Sequence, residues 1–214
     1  MLRERRWLEK IGKSMSTADV NPTRLAIGFL TVLDHPQHGL FGGYLVLNAA
    51  GRPLEFHCTA PIKPNRAQEI LYGPTLAAFL YGEQIGQTLL AQAKTEPALV
   101  CTDREPALSV RHHVSLPVAL VLPPEVERVD VRPDGPTPVI EGSQRRFRLD
   151  GPHLHAPKLI AFQLGRNRLA VAERADDDRR LVAERLGELA ASFDLSEPFQ
   201  RIREAIEEAQ QAVR

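Results

Sequence analysis

Residues 25–33 (LAIGFLTVL) form an apolar run rich in strand formers and predict a buried strand. A loop is expected over residues 35–43, where Pro36, Gly39, Gly42 and Gly43 crowd together. Residues 44–47 open a second strand, and Asn48-Ala49-Ala50-Gly51 reads as a hairpin turn, with Gly51 suited to positive φ. The return strand, residues 54–59 (LEFHCT), alternates. Its period of two puts Leu54, Phe56 and Cys58 on one face and Glu55, His57 and Thr59 on the other. The period then changes. Asn65 is a suitable N-cap, and Ile70, Leu71, Leu76, Phe79, Leu80, Ile85, Leu89 and Leu90 recur near the helical repeat. Gly73-Pro74 interrupts them, which predicts a short helix, a break and a longer helix over residues 74–91. Residues 98–102 (ALVCT) read as a short buried strand, reached by a crossover that makes it parallel to the first.

Residues 108–172 are expected to be β-rich, with strands over 117–122, 126–131, 145–149 and 159–171, the last split into a hairpin by Gly165-Arg166-Asn167. Two helices close the chain. One covers residues 176–191; the other is capped by Ser196 and carries the stripe Phe199, Ile202, Ile206, Ala209 and Val213. The fold class is therefore α/β (or α+β): a mixed β-sheet with a β-hairpin, a crossover helical region, a β-rich middle segment and two C-terminal helices. Residues 1–20 are expected to be a mobile N-terminal extension. Residues 1–13 (MLRERRWLEKIGK) are basic and weakly amphipathic but lack the apolar core of a signal peptide, and Met15 is a second candidate start. Residues 21–214 are expected to form a single globular domain, with any subdivision near 104–125.

Composition narrows this picture only a little. The 214 residues carry 27 Lys+Arg and 27 Asp+Glu, with 43% hydrophobic and 25% charged positions. That is the balance of an ordinary soluble, bacterial-type globular protein, and a zero net charge argues against a strongly basic nucleic-acid binder while leaving room for a local basic patch. No apolar run is long enough to span a bilayer, so no membrane association is expected. Two cysteines, Cys58 and Cys101, make no disulfide framework and point to a reducing, cytoplasmic compartment; a buried, inert thiol is the expectation for both.

The sharpest chemical signal lies in three segments. Asp34 follows the first apolar run, Glu69 stands in the helix opening Asn65-Arg66-Ala67-Gln68-Glu69, and Asp103 ends the run Val100-Cys101-Thr102-Asp103. If both runs are strands of one sheet, two aspartates sit at strand ends and a glutamate faces them from a helix. Hard carboxylate oxygens converging in this way suit a pair of divalent cations and in-line phosphoryl chemistry. With Gly42-Gly43-Tyr44-Leu45-Val46-Leu47 after the first strand and Cys101-Thr102-Asp103 at the later one, residues 25–103 resemble the ribonuclease H-like fold. The resemblance implies a metal-dependent nuclease that cleaves phosphodiester bonds of nucleic acid, with Asp34, Glu69 and Asp103 as catalytic ligands of Mg or Mn. The chain departs from that family in several places. Asp34 ends its strand instead of standing in the middle, and Glu69 is offset by one residue, a rotation of about 100° on a helix. Glu83, between Gly82 and Gly86, is an alternative helix carboxylate, and Asp176, Asp177 and Asp178 open a late helix. Each aspartate also has a plain role in turn chemistry, and Glu69 one in complementing a helix dipole.

Other groups are weaker. His35, His38 and His57, with Cys58 and Cys101, have no standard zinc spacing; nor do His112, His113, His153 and His155. Arg145-Arg146-Phe147-Arg148 suits either a nucleic-acid backbone or a charged edge strand. The alternative to the nuclease is a non-catalytic binding or scaffold module, since the hairpin, helix and strand order also resembles roadblock or longin-like domains, which act through protein–protein contacts. In that case the Phe199–Val213 stripe would serve a protein partner or a homo-oligomer.

Overall fold

In the computed structural model, which describes residues 25–123 and 158–211, the first apolar run becomes an interior strand of a seven-stranded mixed sheet. Its strands are β1 (Ala26–His35), β2 (Gly39–Asn48), β3 (Pro53–Cys58), β4 (Leu99–Thr102), β5 (Val118–Leu122), β6 (Leu159–Leu164) and β7 (Asn167–Ala172), in the order β3-β2-β1-β4-β5-β7-β6. β1, β4 and β5 run parallel, while β2–β3 and β7–β6 are antiparallel hairpins on either flank. The fold class read from the pattern is the one observed. The strands expected over 126–131 and 145–149, the arginine segment 145–148, His153, His155, Val213 and the N-terminal extension lie outside the described residues.

Alternation along β1 sorts its side chains between two cores. Ile27 and Phe29 face one side, with Leu186 of α4 (Asp176–Leu186) and Phe199, Ile202 and Ile206 of α6 (Glu197–Gln211). Leu30 and Val32 face the other, with Leu76, Leu80, Ile85 and Leu89 of the crossover helix and Leu108 and Val110 of a 3-10 helix (Glu105–His112). The shorter pieces are α1 (Arg66–Tyr72) before the crossover helix, α2 (Leu76–Ala78) and α3 (Thr88–Gln92) at its two ends, and α5 (Leu189–Ser192) before α6.

The expected loop over 35–43 shrinks to a three-residue turn at 36–38 between two strands. β1 and β2 pair without interruption from Ala26↔Asn48 to His35↔Gly39. The glycine pair misled because its purpose is steric. A Cβ on Gly42 would lie 2.2 Å from Ile85 Cγ2, and one on Gly43 would lie 2.2 Å from Ile202 Cγ2. Consecutive strand residues point to opposite faces, so two adjacent glycines let a helix press on each side of the same strand. Gly51 does take positive φ, 73°, at the β2–β3 turn.

The crossover region follows the expected plan with two refinements. Asn65 caps α1: its side chain accepts from the Gln68 N–H (2.9 Å), and the Gln68 side chain accepts from the Asn65 N–H (3.0 Å), a reciprocal capping box. After Gly73–Thr75 the longer helix widens into a π-helix over Phe79–Gln87 before returning to α geometry. Residues 105–112 are 3-10 helical, where β structure was expected from 108 onward; Pro106 starts that turn and Ala107, Leu108 and Val110 are buried by it. At the far end the Ser196 hydroxyl donates to Asp194 (2.6 Å), the anionic acceptor beside it, as does the Ser196 N–H (2.9 Å). These two donations hold the Asp194 carboxyl below its ordinary range.

Candidate functional site

The carboxyl ends of β1 and β4 are where the chain diverges to opposite halves of the sheet, the usual place for a crevice in open α/β folds. β1 and β4 pair in the register Leu30↔Thr102, so the residue beside Asp103 is Thr31. The Thr31 hydroxyl donates to Asp103 Oδ1 at 2.6 Å. From the final helix, the Arg203 guanidinium makes an ion pair with Asp103 Oδ2, and Arg104 Nε lies 3.9 Å from Oδ1. Asp103 therefore faces α6 and is surrounded by donors. Its side chain is 15% exposed, against 31% for that of Arg203.

Asp34 lies elsewhere. It pairs with Leu40 and follows Val32 by two residues, which puts it on the crossover-helix side of the sheet, opposite to the side Asp103 faces. It is exposed. Tyr81, in the π-helix, feels both aspartates: burial is the main cause of its raised pKa, Arg104 opposes the shift, and Asp34 and Asp103 add to it. Glu69 stands in the first turn of α1, a helix with no buried residue, and pairs with Arg66 one turn back at 3.1 Å. The three carboxylates are thus held by three different surroundings. Among the described residues, no group of three or more His, Cys, Asp or Glu side chains is arranged to hold a metal ion. The donor set around Asp103, one hydroxyl and two guanidinium groups, suits an anion's counter-charges and not a cation. Glu83, the alternative helix carboxylate, is exposed.

The histidine and cysteine groups resolve in the same manner. The His35 and His38 rings lie 4.6 Å apart between centroids, tilted by 42°, and the His35 Nδ1 accepts from the backbone N–H groups of Gln37 and His38, so this pair shapes the β1–β2 turn. His57 pairs with Glu55 at 3.1 Å. Glu55 also accepts from the Thr95 hydroxyl (2.5 Å) and the Lys94 N–H (2.8 Å). Led by the Thr95 bond, these interactions lower its pKa to about 2. This arrangement half-buries the polar face of β3 against the loop before β4, while Leu54 and Phe56 are 46% and 39% exposed. Cys58 is exposed, contrary to the expectation for it, because β3 is a sheet edge; Cys101 is buried, which pushes its thiol up to about 12. Phe199, Ile202 and Ile206 are spent on the chain's own core and Ala209 is exposed, so the final helix does not present the predicted apolar stripe to a partner.

Sequence reasoning missed Thr31, Arg104, Tyr81 and Arg203. Thr31 and Tyr81 needed the β1–β4 register and the crossover geometry, and Arg203 lies 100 positions beyond its carboxylate partner. Only Arg104, next to Asp103, was marked by proximity.

No protein-family model matches the chain, and no curated protein does. Among solved structures, it is similar to Endonuclease V (D234N) from Ciona intestinalis, solved in complex with a 23mer DNA containing an inosine followed by a ribo-adenosine. The identity is 12%, the TM-score 0.33, and the match covers 69% of this chain and 70% of that one. This is a weak likeness of fold and carries nothing about chemistry. Among the described residues no helix is long and apolar enough to cross a membrane.

Proposed function

We propose that this chain is a non-catalytic, protein-binding module built on a sheet of ribonuclease H-like strand order. The observation that carries this reading is the state of Asp103. This carboxylate, at the end of β4, is held by the Thr31 hydroxyl and the Arg203 guanidinium and ties β1, β4 and the final helix together. The contact surface this reading favours is α1. None of its residues is buried, yet it carries Ile70 and Leu71, which are 65% and 81% exposed. Exposed large apolar groups side by side on a small helix suit a protein partner better than a nucleic-acid backbone.

The competing reading is the divalent-metal nuclease with Asp34, Glu69 and Asp103 as ligands of Mg or Mn. Tyr81 favours it to one degree, since both aspartates act on the same phenol. The carboxylates as placed do not fit a shared cation, so no cleavage step is derived from them. Incubation of the protein with single- and double-stranded RNA and DNA in Mg²⁺ or Mn²⁺ separates the two. The module reading expects no cleavage above the buffer rate and a lowered melting temperature for Asp103→Asn. Metal-dependent cleavage that Asp103→Asn abolishes, with folding intact, overturns it.

A further inference from the structure

β3 is one edge of the sheet, with no further strand beside it among the described residues. The Thr59 N–H donates to the Gly42 carbonyl on β2 (3.0 Å), and successive residues of a strand present their backbone groups to alternate sides. The N–H and C=O groups of Phe56 and Cys58 therefore point away from β2, out of the sheet edge. The side chains alternate too. Leu54, Phe56 and Cys58 are exposed, and Phe56 lies opposite Leu45 on the face that carries α6. Glu55 and His57 turn to the other face, where Glu55 takes the Lys94 N–H and the Thr95 hydroxyl. Edge strands are ordinarily guarded by lysine, proline or a bulge. β3 has no Lys or Arg, and Pro53 and the register shift at Val46/Leu47 guard only its first residues. At the other edge the apolar side chains are already used: Ile160, Phe162 and Leu164 of β6 pack on the core, and Arg179 lies over the Phe162 ring.

We propose that β3 pairs with β3 of a second copy of this chain, antiparallel, about a two-fold axis at Phe56, joining the two sheets into one. The order of residues selects both the partner and the register. Outward-facing backbone groups must meet outward-facing groups, so even-numbered residues of β3 oppose even-numbered ones. Among the registers that allow this, one sets Phe56 opposite Phe56 of the partner subunit. It also sets Glu55 opposite His57 of the partner subunit, and Leu54 opposite Cys58 of the partner subunit. Sliding the copies by two residues in either direction sets Glu55 against Glu55 or His57 against His57 and loses the match of acid to base, which is favourable across strands. The segment Leu54-Glu55-Phe56-His57-Cys58 is thus self-complementary: apolar ends, an aromatic centre, and an acid and a base at equal distances from it. Glu55 has room for the contact, since a carboxylate offers about four acceptor sites and His57, Lys94 and Thr95 occupy three. The same patch used by both copies is the usual form of symmetric association. The pairing uses a surface other than α1 and does not depend on the module reading.

Sedimentation equilibrium of the full chain over a roughly hundredfold range of concentration reads the association. The expected result is a monomer–dimer equilibrium whose dissociation constant rises about tenfold or more in Phe56→Lys. Because that side chain is exposed, the melting temperature at a concentration where both proteins are monomeric is expected to stay unchanged. Leu54→Cys reads the register. Cys101 is buried, so Cys58 is the reactive thiol of the parent, and across the pairing it lies roughly 13 Å along the strands from its own copy, beyond disulfide reach. Diamide as oxidant is therefore expected to leave the parent uncross-linked and to convert Leu54→Cys to a covalent dimer. A full chain that is monomeric throughout overturns the proposal, and slow alkylation of Cys58 in that monomer would show the edge covered by another part of the same chain. A dimer that survives Phe56→Lys also overturns it, and loss of that dimer in Leu71→Lys would move the contact to α1. Cross-linking of the parent through Cys58 as readily as Leu54→Cys contradicts the register and with it the proposed pairing.

Discussion

At the scale of single residues, several buried polar groups tie elements together. Asp178 is the clearest case. It is fully buried on α4, takes Arg111 Nε at 2.7 Å and Nη2 at 3.2 Å, and accepts from the Val118 N–H at 3.2 Å. One carboxylate thus joins the 3-10 helix on one face to α4 on the other, around the start of β5. Asp178→Ala leaves a guanidinium and a backbone N–H without their partner, and is expected to cost about 2–4 kcal/mol in urea unfolding, discounted because Arg111 is partly exposed. Asn167 acts similarly: its amide donates to the carbonyls of Ala190 (3.0 Å) and Phe193 (2.9 Å) and accepts from the Leu195 N–H (2.9 Å). Glu55 gives a pH signature. Its pKa falls from an ordinary 4.5 to about 2. A carboxyl depressed on folding adds stability that is present above 4.5 and is lost as pH drops through 2. Titration of the Glu55 side-chain carbon by NMR is expected to show this midpoint, and Thr95→Val is expected to move it upward.

At the scale of elements, the sequence was legible where periodicity and burial agree. The strand after residue 25, the strand over 98–102, the Asn65 cap, the 165–167 hairpin and the final helix all follow from apolar spacing and turn chemistry. It was misleading where glycine had a packing purpose. Gly42 and Gly43 carry a loop signal, but here they are a thin place in the interior strand β2, pinched between Ile85 and Ile202. Gly43→Ala is therefore expected to lose about 1–3 kcal/mol through overpacking, measured by thermal or urea melting. Adding Ile206→Val to Gly43→Ala, which removes the Ile206 Cδ1 that would lie 2.9 Å from that Cβ, is expected to return part of that loss. β3 failed differently. Its alternation was read correctly, yet which face is covered depends on the loop before β4, and no local pattern encodes that.

At the scale of the whole molecule, the candidate site could not be read because it depends on register. Asp34 and Asp103 each end a strand, but strands slide. The observed register gives Asp103 the neighbour Thr31 and leaves Asp34 on the other face. The positive charge paired with Asp103 arrives from Arg203, on the last helix. The enzyme reading rested on three carboxylates and the segments around them; the proposed module reading rests on the partners of Asp103. The central claim is that Asp103 is an internal counter-ion and not a metal ligand. Amide spectra recorded during Mn²⁺ titration test it most directly, because the ion broadens signals near its site. The account predicts that Thr102, Asp103 and Arg104 broaden no more than surface acidic residues do. Selective broadening there and at Asp34, removed by Asp103→Asn, would contradict it.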